Sequence, residues 1–191
     1  MLRVITGTAK GKKLITLEGE ATRPTSERIK EAVFSSIQFD VENRRVLDLF
    51  AGSGQLGIEA LSRGAESVTF VDAMREAMDI VKANARTAGF FDKCRNCVSD
   101  WSNFLRKQGG RVKYDLVVID TPYSMECCKE AVERLVKEEL IIPGAILVLE
   151  SGSEAIDLSD EAFRDFTVMK STWYGKKTFV NILLYGAGGE V

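Results

Sequence analysis

One stretch constrains this chain more than any other: Val46-Leu47-Asp48-Leu49-Phe50-Ala51-Gly52-Ser53-Gly54. Arg45 to Phe50 is short and mostly apolar, the pattern of a buried strand. Gly52 and Gly54 follow at once, and then Leu56, Glu59, Ala60 and Arg63 recur at helical spacing. Strand, glycine turn and helix in that order form the opening unit of a doubly wound α/β fold. Glycines in such a turn let a ligand approach the backbone closely. The helix that follows offers it unsatisfied N–H groups.

Gly52-Ser53-Gly54-Gln55-Leu56-Gly57 also fits G-x-G-x-x-G. Asp72 follows it by about 20 residues, where dinucleotide-binding turns carry an acidic group. Many nucleotide-like ligands use this turn, so the match alone does not choose among them. Asp48 bears on the choice. A carboxylate near the strand end repels a pyrophosphate and suits a cationic ligand. S-adenosylmethionine carries a sulfonium and an ammonium group and no phosphate. Asp72 can hold ribose hydroxyls in either case.

The rest of the chain alternates in the same way. Ser67–Val71 is expected to be a strand ended by Asp72. Met74, Ala77, Met78, Val81, Ala85 and Ala88 then mark one face of a helix, a stripe that reads as core. Gly89 is placed to end it. Cys94–Ser99 is a third strand, followed by Asp100 and Trp101, which either hold an adenine ring or serve as helix cap and buried aromatic. Tyr114–Ile119 is the clearest buried strand. A helix with Cys128, Ala131, Val132 and Leu135 on one face follows, then a fifth strand from Gly144 to Glu150. Phe166–Trp173 and Thr178–Tyr185 read as two final strands joined by Tyr174-Gly175-Lys176-Lys177. Such alternation implies a mostly parallel sheet with helices on both faces.

Composition excludes several chemistries. The chain has 191 residues and no histidine, so neither His catalysis nor His metal ligation is available. Cys94-x-x-Cys97 with the adjacent Cys127 and Cys128 fits a tetrahedral zinc site poorly, so reduced thiols and no metal are expected. No apolar run approaches a membrane span and the N-terminus lacks a signal-peptide pattern, so a cytoplasmic protein is expected. Net charge is −2, yet residues 1–30 carry seven basic and three acidic groups. Leu2–Thr6 and Lys13–Leu17 are expected as short strands, with Lys10, Lys12 and Lys13 in and beside the turn between them. Those lysines suit either phosphates or plain solvent. Ala21–Ser26 is a loop that Thr25 or Ser26 closes as a helix cap. Ile29, Ala32, Val33 and Ile37 follow on one helix face.

A second motif carries chemistry. Asp48, Asp72, Asp100 and Asp120 all fall at or near predicted strand ends, where ligands of such sheets bind. Asp120-Thr121-Pro122-Tyr123 resembles the (Asp/Asn)-Pro-Pro-(Tyr/Phe) motif of methyltransferases acting on exocyclic base amines. A carboxylate and a backbone carbonyl there draw a conjugated amine toward tetrahedral geometry, and an aromatic ring stacks on the base. Positioning supplies much of the rate in such a scheme. Thr121 stands where proline is usual: the carbonyl remains, the rigid Pro-Pro turn does not. A strand-to-helix turn capped by Asp120 is the plainer alternative.

The basic N-terminal segment, Thr22-Arg23-Pro24-Thr25-Ser26-Glu27-Arg28, Val46 to Gly54, Asp120 to Tyr123 and Tyr174-Gly175-Lys176-Lys177-Thr178 together resemble the RsmD family of bacterial 16S ribosomal RNA guanine-N2 methyltransferases. The resemblance spans nearly the whole chain in order. It implies a single domain over residues 1–191, a doubly wound, mostly parallel seven-stranded sheet of the Rossmann-like class I methyltransferase type. A small β-hairpin and helix extension over residues 1–40 would face RNA. It implies S-adenosyl-L-methionine as donor, held by Asp48, Phe50, Gly52, Gly54, Asp72, Asp100 and Trp101. Asp120, Pro122 and Tyr123 would hold a flipped-out guanine of the small ribosomal subunit. Lys10, Lys12, Lys13, Arg23, Thr25, Arg28, Lys176 and Lys177 would contact the RNA. Three other readings stay open: methylation of DNA adenine N6 or a small amine, a catalytically silent ribosome-binding module, and a nicotinamide dehydrogenase.

Overall fold

A computed structural model describes residues 2–17, 27–121, 125–152, 156–175 and 178–186. The chain forms two compact units, Met1–Asp100 and Trp101–Val191. The first contains α1 (Glu27–Ser36), β1 (Arg45–Asp48), α2 (Gln55–Ser62), β2 (Ser67–Asp72), α3 (Arg75–Ala88) and β3 (Cys94–Val98). The second contains α4 (Trp101–Gln108), β4 (Tyr114–Asp120), α5 (Met125–Lys137), β5 (Ile141–Ser151), β6 (Phe166–Tyr174) and β7 (Thr178–Tyr185). The seven strands make a mostly parallel sheet, the α/β class that the alternation predicts.

In the first unit the order is β3-β2-β1, all parallel, with Asp48 opposite Phe70 and Asp72 opposite Val98. Val46, Leu47, Phe70 and Val71 are fully buried between helices, which is why these strands read as apolar runs. Met78, Val81 and Ala85 of α3 are buried with them, as the stripe predicts. Met74 is the exception. It precedes the helix in extended backbone and is 51% exposed. Gly89 closes α3 at φ 87°, its N–H donating to the carbonyls of Ala85 and Arg86.

In the second unit the order is β4-β5-β7-β6, with β4 and β5 parallel and both contacts of β7 antiparallel. Cys128, Ala131, Val132 and Leu135 are fully buried on α5, as its spacing implies. Burying a side chain such as Val132 or Leu135 contributes roughly 1.5–3 kcal/mol. Strand β5 starts earlier than Gly144. It pairs Ile141 with Tyr114, then shifts register before Ile146 meets Leu116, and Gly144 takes the φ of 84° that the irregularity needs.

The N-terminal segment departs most from expectation. Two regular strands are not formed, but the two runs still pair: an antiparallel bridge joins Arg3 and Lys13, the Val4 N–H donates to the Lys12 carbonyl at 3.0 Å, and the Leu14 N–H donates to the Leu2 carbonyl at 2.9 Å. Other backbone groups of the segment are taken by α2 and α3. Glu59 accepts the N–H groups of Ile5 at 2.8 Å and Thr6 at 3.0 Å. Ser62 Oγ accepts the N–H of Ala9 at 3.0 Å, and the Ser62 carbonyl accepts that of Thr8 at 2.8 Å. Gly7, at φ 87°, lies so close to that carbonyl that a Cβ would overlap it. Glu59 is fully buried and also meets Arg63 Nε at 2.9 Å and Lys30 Nζ at 3.8 Å. Lys30 is fully buried on the apolar face of α1 and donates to the Arg3 carbonyl at 2.7 Å. A buried charge requires such partners.

Candidate donor and base site

Four hydrogen bonds hold the glycine turn, one of them within it. The Ala51 N–H donates to the Val71 carbonyl at 3.0 Å, and the Gly54 N–H donates to the Ala51 carbonyl at 2.6 Å. The Gly52 N–H donates to Asp72 Oδ2 at 2.9 Å. The Ser53 carbonyl accepts from Asn84 Nδ2 at 2.9 Å. Gly52 and Gly54 have φ of 51° and 76°, a region open to glycine and costly to other residues. Gly54 is the left-handed residue from which α2 starts.

The third glycine of the motif packs rather than turns. Gly57 sits against β2: a Cβ there would fall within contact of Phe70 Cε1 and lie 2.7 Å from Phe70 Cζ and 2.8 Å from Val68 Cγ1. Its N–H donates to Asp48 Oδ2 at 3.1 Å. Asp48 is only 1% exposed, so its carboxylate ties the end of β1 to the first turn of α2. A negative group is favoured at that end of a helix.

Asp72 ends β2 and is half-buried. Besides Gly52, it accepts the Met74 N–H on Oδ1 at 2.8 Å. Each carboxylate oxygen keeps a further lone pair for a hydroxyl donor. Phe50 is half-buried just after β1, and Asp100 is exposed two residues after β3. Gln55, the first residue of α2, has its Oε1 shielded from solvent with no hydrogen-bond partner among the described residues. An orphaned acceptor beside a glycine turn fits a ligand that brings N–H or O–H groups, as the ammonium and hydroxyls of S-adenosylmethionine do.

In the second unit, Asp120 is the last residue of β4 and Thr121, 7% exposed, follows it. Asp120 pairs in register with Glu150 of β5. Trp101 opens α4, and the Arg134 guanidinium lies 5.8 Å from its ring centroid. Pro122, Tyr123, Arg23, Thr25, Lys176 and Lys177 lie outside the described residues. Lys10, Lys12 and Lys13 are exposed on the N-terminal segment, and Arg28 is exposed in the first turn of α1.

Several residues that shape the site carry no motif. Asn84, Glu59 and Ser62 are buried and polar, and each anchors backbone far away in sequence. Asn84 had a signal: it is the polar member of an otherwise apolar helix face. Among the described residues no cluster of His, Cys, Asp or Glu is arranged to hold a metal ion, and none of the four cysteines forms a disulfide. No helix among them is long and apolar enough to cross a membrane.

The chain is similar to known proteins over most of its length. A family model described as "Conserved hypothetical protein 95" matches residues 2–183. The chain is 30% identical over 175 residues to ribosomal RNA small subunit methyltransferase D of Haemophilus influenzae, covering 91% of this chain and 89% of that one. It is 33% identical over 175 residues to YlbH of Bacillus subtilis, provisionally called an rRNA methyltransferase, covering 91% and 94%. A solved structure of yhhF from Escherichia coli, provisionally called a methyltransferase, superposes with a TM-score of 0.81 at 25% identity, covering 97% of this chain and 98% of that one. The length of the family match, the identity to its members and the shared fold settle one point: the chain belongs to the RsmD family of S-adenosylmethionine-dependent methyltransferases.

Proposed function

We propose that this chain methylates the exocyclic N2 amine of a guanine in 16S ribosomal RNA of the small subunit. The observation that carries the proposal is the held glycine turn followed, at the end of β4, by Asp120 in an Asp-x-Pro-Tyr sequence. Bound S-adenosylmethionine supplies an electrophilic methyl group on a sulfonium. The turn residues Gly52 and Gly54 let it approach, Asp72 takes its ribose hydroxyls, and Asp100 and Trp101 take its adenine. Phe50 lines the same side. Asp48 keeps the turn and helix in register, and its charge favours a cation nearby.

Asp120 accepts an N–H of the guanine amine, helped by the Thr121 main-chain carbonyl. This turns the nitrogen lone pair out of conjugation and toward the methyl carbon. Once the C–N bond forms, the nitrogen is cationic and its surplus proton leaves readily to Asp120 or water. In this reading Tyr123 stacks on the base and Pro122 precedes it in the motif. The work is positioning more than strong base catalysis. The names of the relatives favour an RNA substrate in the small subunit. Exposed Lys10, Lys12, Lys13 and Arg28 suit its phosphates, and Arg23, Thr25, Lys176 and Lys177 belong to the same proposed surface.

The test is Asp120→Ala. Methyl transfer from labelled donor to small subunits lacking the modification is expected to vanish, while calorimetric binding of S-adenosylhomocysteine persists. Full activity in that variant rejects the assigned role. Mapping the label on RNA and on DNA separates guanine N2 from adenine N6.

A further inference from the structure

Asn84 of α3 is fully buried, and its amide joins two places far apart in sequence. Its Oδ1 accepts the Ile15 N–H at 2.8 Å, and its Nδ2 donates to the Ile15 carbonyl at 2.9 Å. The same Nδ2 donates to the Ser53 carbonyl at 2.9 Å. The side chain therefore pairs with Ile15 as a neighbouring strand would. With its second N–H it holds the residue between Gly52 and Gly54. Ser53 is only 3% exposed, so water does not replace that bond. Ile15 itself is 55% exposed, so this part of the segment is fixed at Ile15 by its backbone and not by burial of its side chain. Leu14 and Leu17 are buried on either side of it.

We propose that Asn84 is a positioning residue that couples donor binding at the glycine turn to the order of the basic N-terminal segment. The inference rests on the donor reading given above and adds a link between that site and the segment proposed to meet RNA. A ligand that fixes the Ser53 carbonyl fixes the orientation of one buried amide. Both amide atoms are committed to Ser53 and Ile15, so the Ile15 pairing is stabilised with it. Linkage makes the effect reciprocal: an anion that orders the Lys10–Lys13 turn tightens donor binding. Removing the amide leaves the Ser53 carbonyl unsatisfied in a dry site and frees Ile15, so both ends loosen together.

The experiment uses S-adenosylhomocysteine as the probe, with amide hydrogen exchange and calorimetry on the full chain. In the unaltered protein the probe is expected to slow exchange of the Ile15 N–H, which lies outside the turn itself. In Asn84→Ala the probe is expected to bind about tenfold more weakly, within the usual range of coupling between sites. Exchange at Ile15 in that variant no longer responds to the probe. A purely structural role would raise exchange at Ile15 but leave the response to the probe intact. The exchange measurement on the unaltered protein stands even if the variant does not fold. Binding of the probe with unchanged exchange at Ile15, or unchanged affinity in Asn84→Ala, overturns the coupling alone. Absence of binding to the unaltered protein overturns the donor reading, and the coupling with it.

Discussion

Gly57→Ala probes how closely helix and sheet must approach to shape the glycine turn. Alanine is the better helix former, and in a neutral setting the change would stabilise α2 by about 1 kcal/mol. Here the added methyl meets Phe70 Cζ at 2.7 Å and Val68 Cγ1 at 2.8 Å, with Phe70 Cε1 nearer still. Phe70 is fully buried and Val68 is 1% exposed, so neither can swing into solvent. Overpacking of such a core costs about 1–3 kcal/mol, and contact with a rigid ring on one side and a β-branched residue on the other places this site at the upper end. The net expectation is a loss of about 2 kcal/mol, the overpacking cost less the propensity gain. For a chain of this length that lowers Tm by about 4–8 °C in a thermal melt. Relief comes from moving α2 outward, which lengthens the 3.1 Å bond from Gly57 N–H to Asp48 and weakens S-adenosylhomocysteine binding. Phe70→Leu removes the ring atoms that clash, so the double variant should be more stable than the sum of the two single changes by about 1 kcal/mol or more. A Gly57→Ala protein that melts at or above the parent temperature, together with strict additivity in the double variant, refutes this account of the third glycine.

Further outcomes concern charge and thiols. Lys12→Glu with Lys13→Glu should weaken RNA binding and reduce the slope of log affinity against log salt by about 1 for each phosphate no longer neutralised, measured by filter binding across a salt series. Burial lowers the Lys30 pKa from its ordinary 10.5; Glu59 and Glu27 oppose the shift and Arg63 adds to it. The native chain then binds fewer protons than the unfolded chain between the lowered value and 10.5, so its stability rises with pH through that window. Denaturant melts should show that rise in the parent relative to Lys30→Met. Burial pushes the thiols of Cys94 and Cys128 up to about 12, with Asp92 and Cys127 adding to the respective shifts. Iodoacetamide at neutral pH should therefore modify the native protein at these two slowly compared with the unfolded chain, as peptide mapping reads out.

What was legible in the sequence was whatever depends on neighbours. β1, the glycine turn, α2 and the end of β2 at Asp72 follow from local apolar pattern and from residues that permit unusual φ. The helix faces of α3 and α5 follow from spacing. What was not legible depends on partners brought in by folding. The N-terminal residues have the alternation of a hairpin and pair in part, yet the N–H groups of Ile5, Thr6, Ala9 and Ile15 go to Glu59, Ser62 and Asn84, whose side chains arrive from helices 53–69 residues later. Nothing local announces that exchange of partners. Lys30 counts as a surface charge until α1 is seen to turn it toward Glu59. Asp48 reads from the sequence as a donor-holding carboxylate; its bond to Gly57 N–H within the fold is a further tie that spacing in one dimension does not reveal. Strand β5 begins at Ile141 because Gly144, read as a boundary, instead accommodates a shift in pairing.

The N-terminal segment is gripped largely by its peptide groups, and this separates two kinds of design freedom. Lys10, Lys12 and Lys13 point outward from a main chain whose course is set by other parts of the protein. Their identities can be rewritten, to acidic, aromatic or neutral, with little consequence for folding. Under the proposed RNA-facing role, the charge that this surface presents can be changed without touching the peptide groups that Glu59, Ser62 and Asn84 hold.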